Sequence, residues 1–481
     1  MNAVERDPLQ TAPNPNPAFL RHRDSADKCD QLRPVATNSA SKARRAHGDK
    51  FVFAYWEIFF LFVLIFWLNM VCLVARGASK VTRHHSSETN SYQNAPPLMG
   101  ETDMTQSWRF SALADRHRAM GSDLEDWSGM GTAWSYDKDQ EEEYLAIRTK
   151  AGFMDVSGLK KVHVVGPHAF HVIDRATTRN ADKIKPGRSS YATMLNDEGK
   201  FIDDCVIYRT GPNAYMVVHG SGQGHEQLTM AAMGRDVDIR FDDNLHDISL
   251  QGPLAVDFLE NQGVPGIREL AYFAHVQTML WDKPVMISRT GYTGERGYEI
   301  FCRAQDAVAI WDLLVEHGAP MGIIPTRFTT LDWLRAESYL LFFPYDNSDM
   351  YPFEDEKAGD TLWELGLDFT VSKGKTGFRG AEEHYRLKGK ERFKIYGVKL
   401  EGTTPADEGA SLLKDGKQVG TVTVGMYSSL NKHNVGIARM PVDCAVDGTA
   451  MTVKNATAEI PCVAHSMPFY DPDKKRRTAK N

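Results

Sequence analysis

Two short stretches carry the residue types best suited to chemistry. In Phe201-Ile202-Asp203-Asp204-Cys205-Val206, two carboxylates stand side by side in a strand-like run. Side chains alternate across a strand, so the pair points to opposite faces. Only one can enter a pocket; its neighbour is expected in solvent or capping a turn. A pocket aspartate can orient an attacking amine, take up its proton and stabilise positive charge on a nearby carbon. Taken alone, the pair reads as surface acids at a strand start. The second stretch is Arg289-Thr290-Gly291-Tyr292-Thr293-Gly294-Glu295-Arg296-Gly297-Tyr298-Glu299-Ile300. Glycines and Thr293 lie between apolar runs at 285–287 and 300–301, the pattern of strand, tight turn, strand. Glycine there lets the backbone approach a flat ligand. A buried Glu299 can accept two hydrogen bonds from an amidine-like edge.

These groups need elements to hold them. From residue 104 short strands and helices alternate. Residues 141–150 read as an amphipathic helix with Tyr144, Leu145 and Ile147 on one side. Residues 161–165 read as a strand and 167–176 as a helix. A β-meander follows over 191–195, 202–209 and 214–219, with turns at 197–199 and 211–213. Residues 248–251 form a strand running into a helix, and 306–315 another helix. A charged helix around 383–390 closes a body at 104–390. Residues 391–470 are strand-dominated and suit a small separate β-barrel.

The chain has 481 residues, 42% hydrophobic and 25% charged, with net charge −7. That length allows two or three domains. The charge argues against a general nucleic-acid binder, which needs a basic face. The basic tail at 471–481 reads as a solvated C-terminus. Six scattered cysteines without C-x-x-C spacing look like buried thiols of a reducing, cytoplasmic body. Histidines do not cluster with acids or thiols, so no metal site is expected. Residues 1–50 are polar and expected to be disordered. The uncharged run 58–75 has the length of one bilayer span, within a candidate transmembrane helix at 51–75. A polar linker follows at 76–103. Two readings stay open: a genuine membrane anchor, or an over-extended gene model with Met104 as the natural start.

Several further motifs stand in order along the chain. Arg148-Thr149-Lys150-Ala151-Gly152-Phe153-Met154-Asp155-Val156-Ser157 matches R-x-x-A-G-x-x-D-V-S. Tyr191 to Asn196 with Gly199 to Asp204 matches Y-x-x-x-L-N-x-x-G-x-x-x-D-D. Leu250-Gln251-Gly252-Pro253, the Gly291 turn and the barrel segment 420–430 follow. Together these motifs resemble the glycine cleavage T-protein (aminomethyltransferase) and folate-dependent demethylase family. The resemblance implies an α+β fold: three subdomains in a ring around a folate-holding hole, ending in a small C-terminal β-barrel, behind an N-terminal hydrophobic segment. It implies transfer of a methyl or aminomethyl unit from a small donor to N5 of tetrahydrofolate. Asp203 falls at the family's catalytic aspartate, Glu299 at its folate-binding glutamate and Tyr191 at the pocket wall. A lipoyl carrier protein is the implied partner if the donor is aminomethyl.

The chain also departs from the pattern. Ser157 is followed by Gly158-Leu159 where the family has His-Met. Leu331 stands at the folate-contacting arginine, with Arg327 one helical turn earlier as the candidate replacement. His219 stands at the pocket asparagine. The losses cluster near the donor and folate tail, so folate chemistry is expected with a donor other than lipoyl-bound aminomethyl. Trp127, Trp134, Tyr136 and Trp333 could wall in a cationic donor, although such residues are more often core. Rival readings are the glycine-cleavage aminomethyltransferase itself and a non-catalytic folate-binding iron–sulfur assembly factor. The latter's K-G-C signature lacks its cysteine at Lys375-Thr376-Gly377.

Overall fold

Alternating and continuous apolar runs become three sheets and a barrel in the computed structural model, which describes residues 108–353 and 359–479. The expected disordered stretch 1–50, candidate span 51–75 and linker 76–103 lie outside the described residues, as do Cys29 and Cys72. Among the described residues no helix is long and apolar enough to cross a membrane.

A small sheet comes first: β1 (Arg109–Phe110), β2 (Glu125–Trp127) and β3 (Met130–Thr132). β4 (Ala151–Asp155) precedes five strands of one sheet: β5 (Lys160–Val165), β6 (Arg188–Leu195), β7 (Phe201–Gly211), β8 (Ala214–His219) and β9 (Asp238–Phe241). Their order is β6-β7-β8-β5-β9. Next come β10 (Leu245–Gln251), β11 (His275–Leu280), β12 (Lys283–Ser288), β13 (Gly297–Arg303) and β14 (Ile323–Pro325). With β4 they form a six-stranded sheet ordered β11-β12-β13-β10-β4-β14. Finally β15 (Phe393–Leu400), β16 (Ser411–Lys414), β17 (Lys417–Ser428), β18 (His433–Pro441), β19 (Ala450–Lys454) and β20 (Glu459–His465) close a barrel.

Both larger sheets are covered twice. The five-stranded sheet packs one face on helices Ala169–Ala176 and Gly224–Ala232 through Val162, Ile173, Cys205, Ile207 and Leu228. The six-stranded sheet packs on Ala255–Asn261 and Ala304–Gly318 through Ile248, Phe258, Ile300 and Trp311. Their remaining faces meet at Tyr208, Met216, Val218, Met286 and Phe301. A further core joins helices Gln140–Thr149 and Phe328–Glu337 to the barrel.

The helix Gln140–Thr149 starts where Asp139 accepts the Glu141 N–H at 3.0 Å, satisfying one orphan donor. Tyr144 and Ile147 are fully buried, but Leu145 is 36% exposed, because adjacent helical positions diverge by about 100°. His163, expected at a strand surface, is half-buried with Nε2 3.0 Å from Asp242 Oδ2. Cys205, Cys302, Cys444 and Cys462 are buried free thiols.

Candidate active site

The two faces of β7 are covered by different layers, helices on one side and the second sheet on the other, so each of its acids meets a different one. Asp203, expected in the pocket, turns to the helix side with Cys205 and Ile207. Its Oδ2 accepts the Gly224 N–H at 2.7 Å, and Oδ1 accepts the Asp204 N–H at 2.9 Å. His219 Nδ1 lies 2.8 Å away, within ion-pair distance but outside hydrogen-bond geometry. Asp203 is fully buried. A Cβ on Gly224 would meet this carboxylate at 2.8 Å, which explains glycine there. Asp203 therefore holds the loop into helix Gly224–Ala232.

Asp204, expected in solvent or at a turn, takes the inward face with Val206 and Tyr208. Its Oδ2 accepts the Tyr191 hydroxyl at 2.6 Å, and no described residue bonds Oδ1. Burial and the charge of Asp203 push its carboxyl up to about 7. Tyr191 and Tyr292 flank it, and burial raises both phenols well above the ordinary tyrosine range. Asp204, Tyr191, Tyr292 and Glu299 all keep partial exposure. The inward face of β7 and the face of β13 that carries Glu299 meet through Tyr208, and the space these side chains border is taken as the candidate recess.

Glu299 reaches the same recess from β13. Its Oε2 accepts the Tyr208 hydroxyl at 2.8 Å and the Thr290 hydroxyl, leaving Oε1 without a bond from any described residue. Burial raises this carboxyl as well. Tyr208 shares a face with Asp204, four residues along β7, so one strand serves both acids. Period-two counting from Asp204 would have found it.

The turn before Glu299 is built around a side chain, which corrects its expected use. A Cβ at Gly291 or Gly297 would collide with the Gln251 carboxamide. Gln251 Nε2 donates to Ser249 Oγ at 3.0 Å and to the Thr290 carbonyl at 3.2 Å, while Thr293 Oγ1 donates to its Oε1 at 3.1 Å. These glycines admit Gln251 instead of a ligand. Arg148 anchors the turn from below, donating to the Thr293 carbonyl at 2.7 Å and to Glu295 at 3.1 Å. The C-terminal tail, expected in solvent, packs here too: Arg476 Nε lies 2.7 Å from Glu295 Oε2.

Arg327 does not reach the recess. Its Nε and Nη2 each lie 3.0 Å from Glu143 Oε1, its backbone N–H donates to Glu143 Oε2, and it is buried. Leu331 is core. The four aromatics weighed as a cation wall take the commoner role of core packing. Trp127 and Trp134 each pack 4.7 Å from Phe328, Tyr136 stacks on His117, and Trp333 packs against Tyr144.

Matches to known families follow this geometry. The model of the GCVT N-terminal domain matches residues 113–375, and that of the glycine cleavage T-protein C-terminal barrel domain matches 394–471. The chain belongs to the glycine cleavage T-protein family. It is 64% identical over 377 residues to the heme-dependent oxidative N-demethylase gamma subunit of Ectopseudomonas mendocina (strain ymp), covering 78% of this chain and 100% of that protein. It is 32% identical to the aminomethyltransferase of Bacillus pumilus (strain SAFR-032), over 69% of this chain and 90% of that one. The glycine cleavage system aminomethyltransferase T from Bartonella henselae superposes with a TM-score of 0.69 at 26% identity, covering 76% and 99% of the two chains. The T-protein-like fold with its C-terminal six-stranded barrel is therefore shared.

Tetrahydrofolate, which the family implies, fits these groups chemically. The pterin edge offers an amino group and a ring N–H. Glu299 has one oxygen loaded by two hydroxyls and one left open, and Tyr191 and Tyr292 offer flat walls.

Proposed function

We propose that this chain is the folate-bearing subunit of an N-demethylating enzyme. In this reading it receives the one-carbon unit that a partner subunit releases from an N-methyl donor. The observation that carries it is the pairing on one face of β7 of Asp204, bonded by the Tyr191 hydroxyl at 2.6 Å with its carboxyl pushed up to about 7, and Tyr208, which donates to Glu299 at 2.8 Å. The likeness to an oxidative N-demethylase subunit supports the choice of donor. Oxidative N-demethylation leaves the methyl carbon at the oxidation level of formaldehyde.

When bound, tetrahydrofolate would supply the two amines that capture this carbon. Glu299 would hold the pterin edge by accepting two donors, the geometry in which a carboxylate binds most strongly. Asp204, ionised above about pH 7, would take the proton lost by the attacking amine. It would return that proton to the carbonyl oxygen, giving a hydroxyl, and then carry the proton of the second amine to that hydroxyl as it departs as water, so two N–H protons and one oxygen leave together without an external acid. Tyr191 would keep the carboxylate aimed by donating to Oδ2 while Oδ1 does the proton work. A site of this kind needs no lipoyl arm.

A second reading, lipoyl-dependent aminomethyl transfer, is favoured by the aminomethyltransferase relatives. Formaldehyde capture separates the two. The purified full chain, mixed with tetrahydrofolate and formaldehyde, is expected to form 5,10-methylene-tetrahydrofolate faster than buffer does. Glu299→Ala should weaken tetrahydrofolate binding roughly 10- to 100-fold with little change in saturated rate. Product only from an aminomethyl-lipoyl carrier would turn the reading to glycine cleavage. Binding without turnover of either donor would leave a folate carrier.

A further inference from the structure

The turn that brings Thr290 and Tyr292 to the recess is gripped at both ends by the tail that follows the barrel. At its start Arg289 Nη2 donates to the Ala479 carbonyl. At its end Arg476 Nε donates to Glu295 Oε2 at 2.7 Å, and Arg476 Nη2 donates to the Arg148 carbonyl at 2.9 Å. Tyr470 anchors the tail to the body. Its N–H donates to the Glu337 carbonyl at 3.0 Å, and its ring centroid lies 3.9 Å from the Arg148 guanidinium carbon. Between the two grips lie Thr290, whose hydroxyl donates to Glu299 Oε2, and Tyr292, a neighbour of Asp204. The tail therefore brackets the part of the turn that faces the chemistry.

The two partners differ in how firmly they are held. Thr290 and Glu295 are buried, and Glu295 keeps Arg148 at 3.1 Å whatever the tail does. Past Tyr470 no described residue of the tail is buried, its helix Lys475–Thr478 spans four residues, and the Arg476 side chain is 41% exposed. A segment with so little buried surface opens at low cost. Opening would leave the body folded and free both ends of the segment that carries Thr290 and Tyr292.

We propose that the tail is a strap coupled to folate binding: closed, it fixes Thr290 and Tyr292 around a pterin held by Glu299, and a bound pterin keeps it closed. The proposal rests on the folate reading of the recess and adds what governs its grip. Linkage ties the two effects together. The factor by which closure tightens tetrahydrofolate is also the factor by which tetrahydrofolate favours closure.

Limited trypsin digestion of the full chain, run beside binding titrations, tests this. Tetrahydrofolate is expected to slow cleavage after Lys474 about five- to tenfold, the range of modest coupling, and to leave cleavage after the exposed Lys390 unchanged. Arg476→Gln should weaken tetrahydrofolate binding by a similar factor and remove the protection, with the urea midpoint little moved. Lys475→Gln, whose ion pair is with Asp473 of the tail itself, should alter neither. Equal cleavage with and without bound tetrahydrofolate would overturn the strap and leave the folate reading intact. An Arg476→Gln affinity within about twofold of the parent would overturn it as well. Failure of the unaltered chain to bind tetrahydrofolate would sink the folate reading, and this inference with it.

Discussion

Arg148 and Asp204 are both charged groups deep in the same body, but their surroundings differ in kind. Arg148 is fully enclosed by partners: Glu337 at 2.8 Å, Glu295 at 3.1 Å, and the carbonyls of Thr293 and Leu334. Those acids are saturated in turn, Glu337 by the Tyr144 hydroxyl at 2.8 Å and Glu295 by Arg476. Asp204 has one hydroxyl and a raised carboxyl; Glu299 has two hydroxyls on one oxygen and a raised carboxyl. Closed networks of this kind shape a backbone, because each charge is balanced where it sits. Open ones leave desolvated acceptors for something that arrives later.

Replacing the most open group gives the largest expected effect. Asp204→Asn should lower turnover roughly 10²- to 10⁴-fold, the usual worth of a positioned base. In the unaltered chain the rate should rise with pH through about 7, as the carboxyl ionises, and this limb should vanish in the variant. Stability should move the other way. A carboxyl raised from 3.8 to about 7 makes ionisation costly in the folded state, so stability falls between those pH values and is flat above. At pH 8 Asp204→Asn should therefore be more stable than the parent by roughly 2 kcal/mol, after discounting for partial exposure. Denaturant melts at pH 4 and pH 8 would measure this. A variant that is slower and also less stable at pH 8 would make Asp204 a member of the closed set.

The closed network should respond oppositely. Arg148→Met leaves Glu337 buried without its cation and Glu295 with Arg476 alone, which costs roughly 3–5 kcal/mol. Its loss should appear in urea midpoints before it appears in the rate of the remaining folded protein. A loss below about 1 kcal/mol would mean that the turn is held by Gln251 alone.

How far these roles could be read from the chain depended on whether a residue's partners lie nearby in sequence. The meander and the barrel were legible because alternation and turn residues are local. For β7 alternation separated Asp203 from Asp204 correctly but could not say which face was which. One face packs on helices and the other on a second sheet, so no polar stripe marks either. The glycines of the turn stood out, yet the carboxamide they admit comes from Gln251, about 40 positions earlier. Arg327 looked available from helical spacing, but Glu143, nearly two hundred residues away, takes it. Tetrahydrofolate chemistry rested on the family likeness and on Glu299, which the fold does bring to the recess.

The smallest effect sharpens the comparison most, because it concerns adjacent residues of identical type. Asp203→Asn keeps the shape but weakens the carboxylate bonds to the Gly224 and Asp204 N–H groups. It also turns an amide N–H toward a site crowded with donors. Losing charge-assisted bonds in a buried place should cost roughly 1–2 kcal/mol of stability. Asp204 would lose the neighbouring charge that helps to raise it, so the pH limb should shift downward while the plateau rate stays within about threefold. That combination, a moved limb with a preserved plateau, marks a residue acting through its neighbour. A collapsed plateau with an unmoved melt would instead assign the proton work to Asp203, and β7 would present its other face to the chemistry.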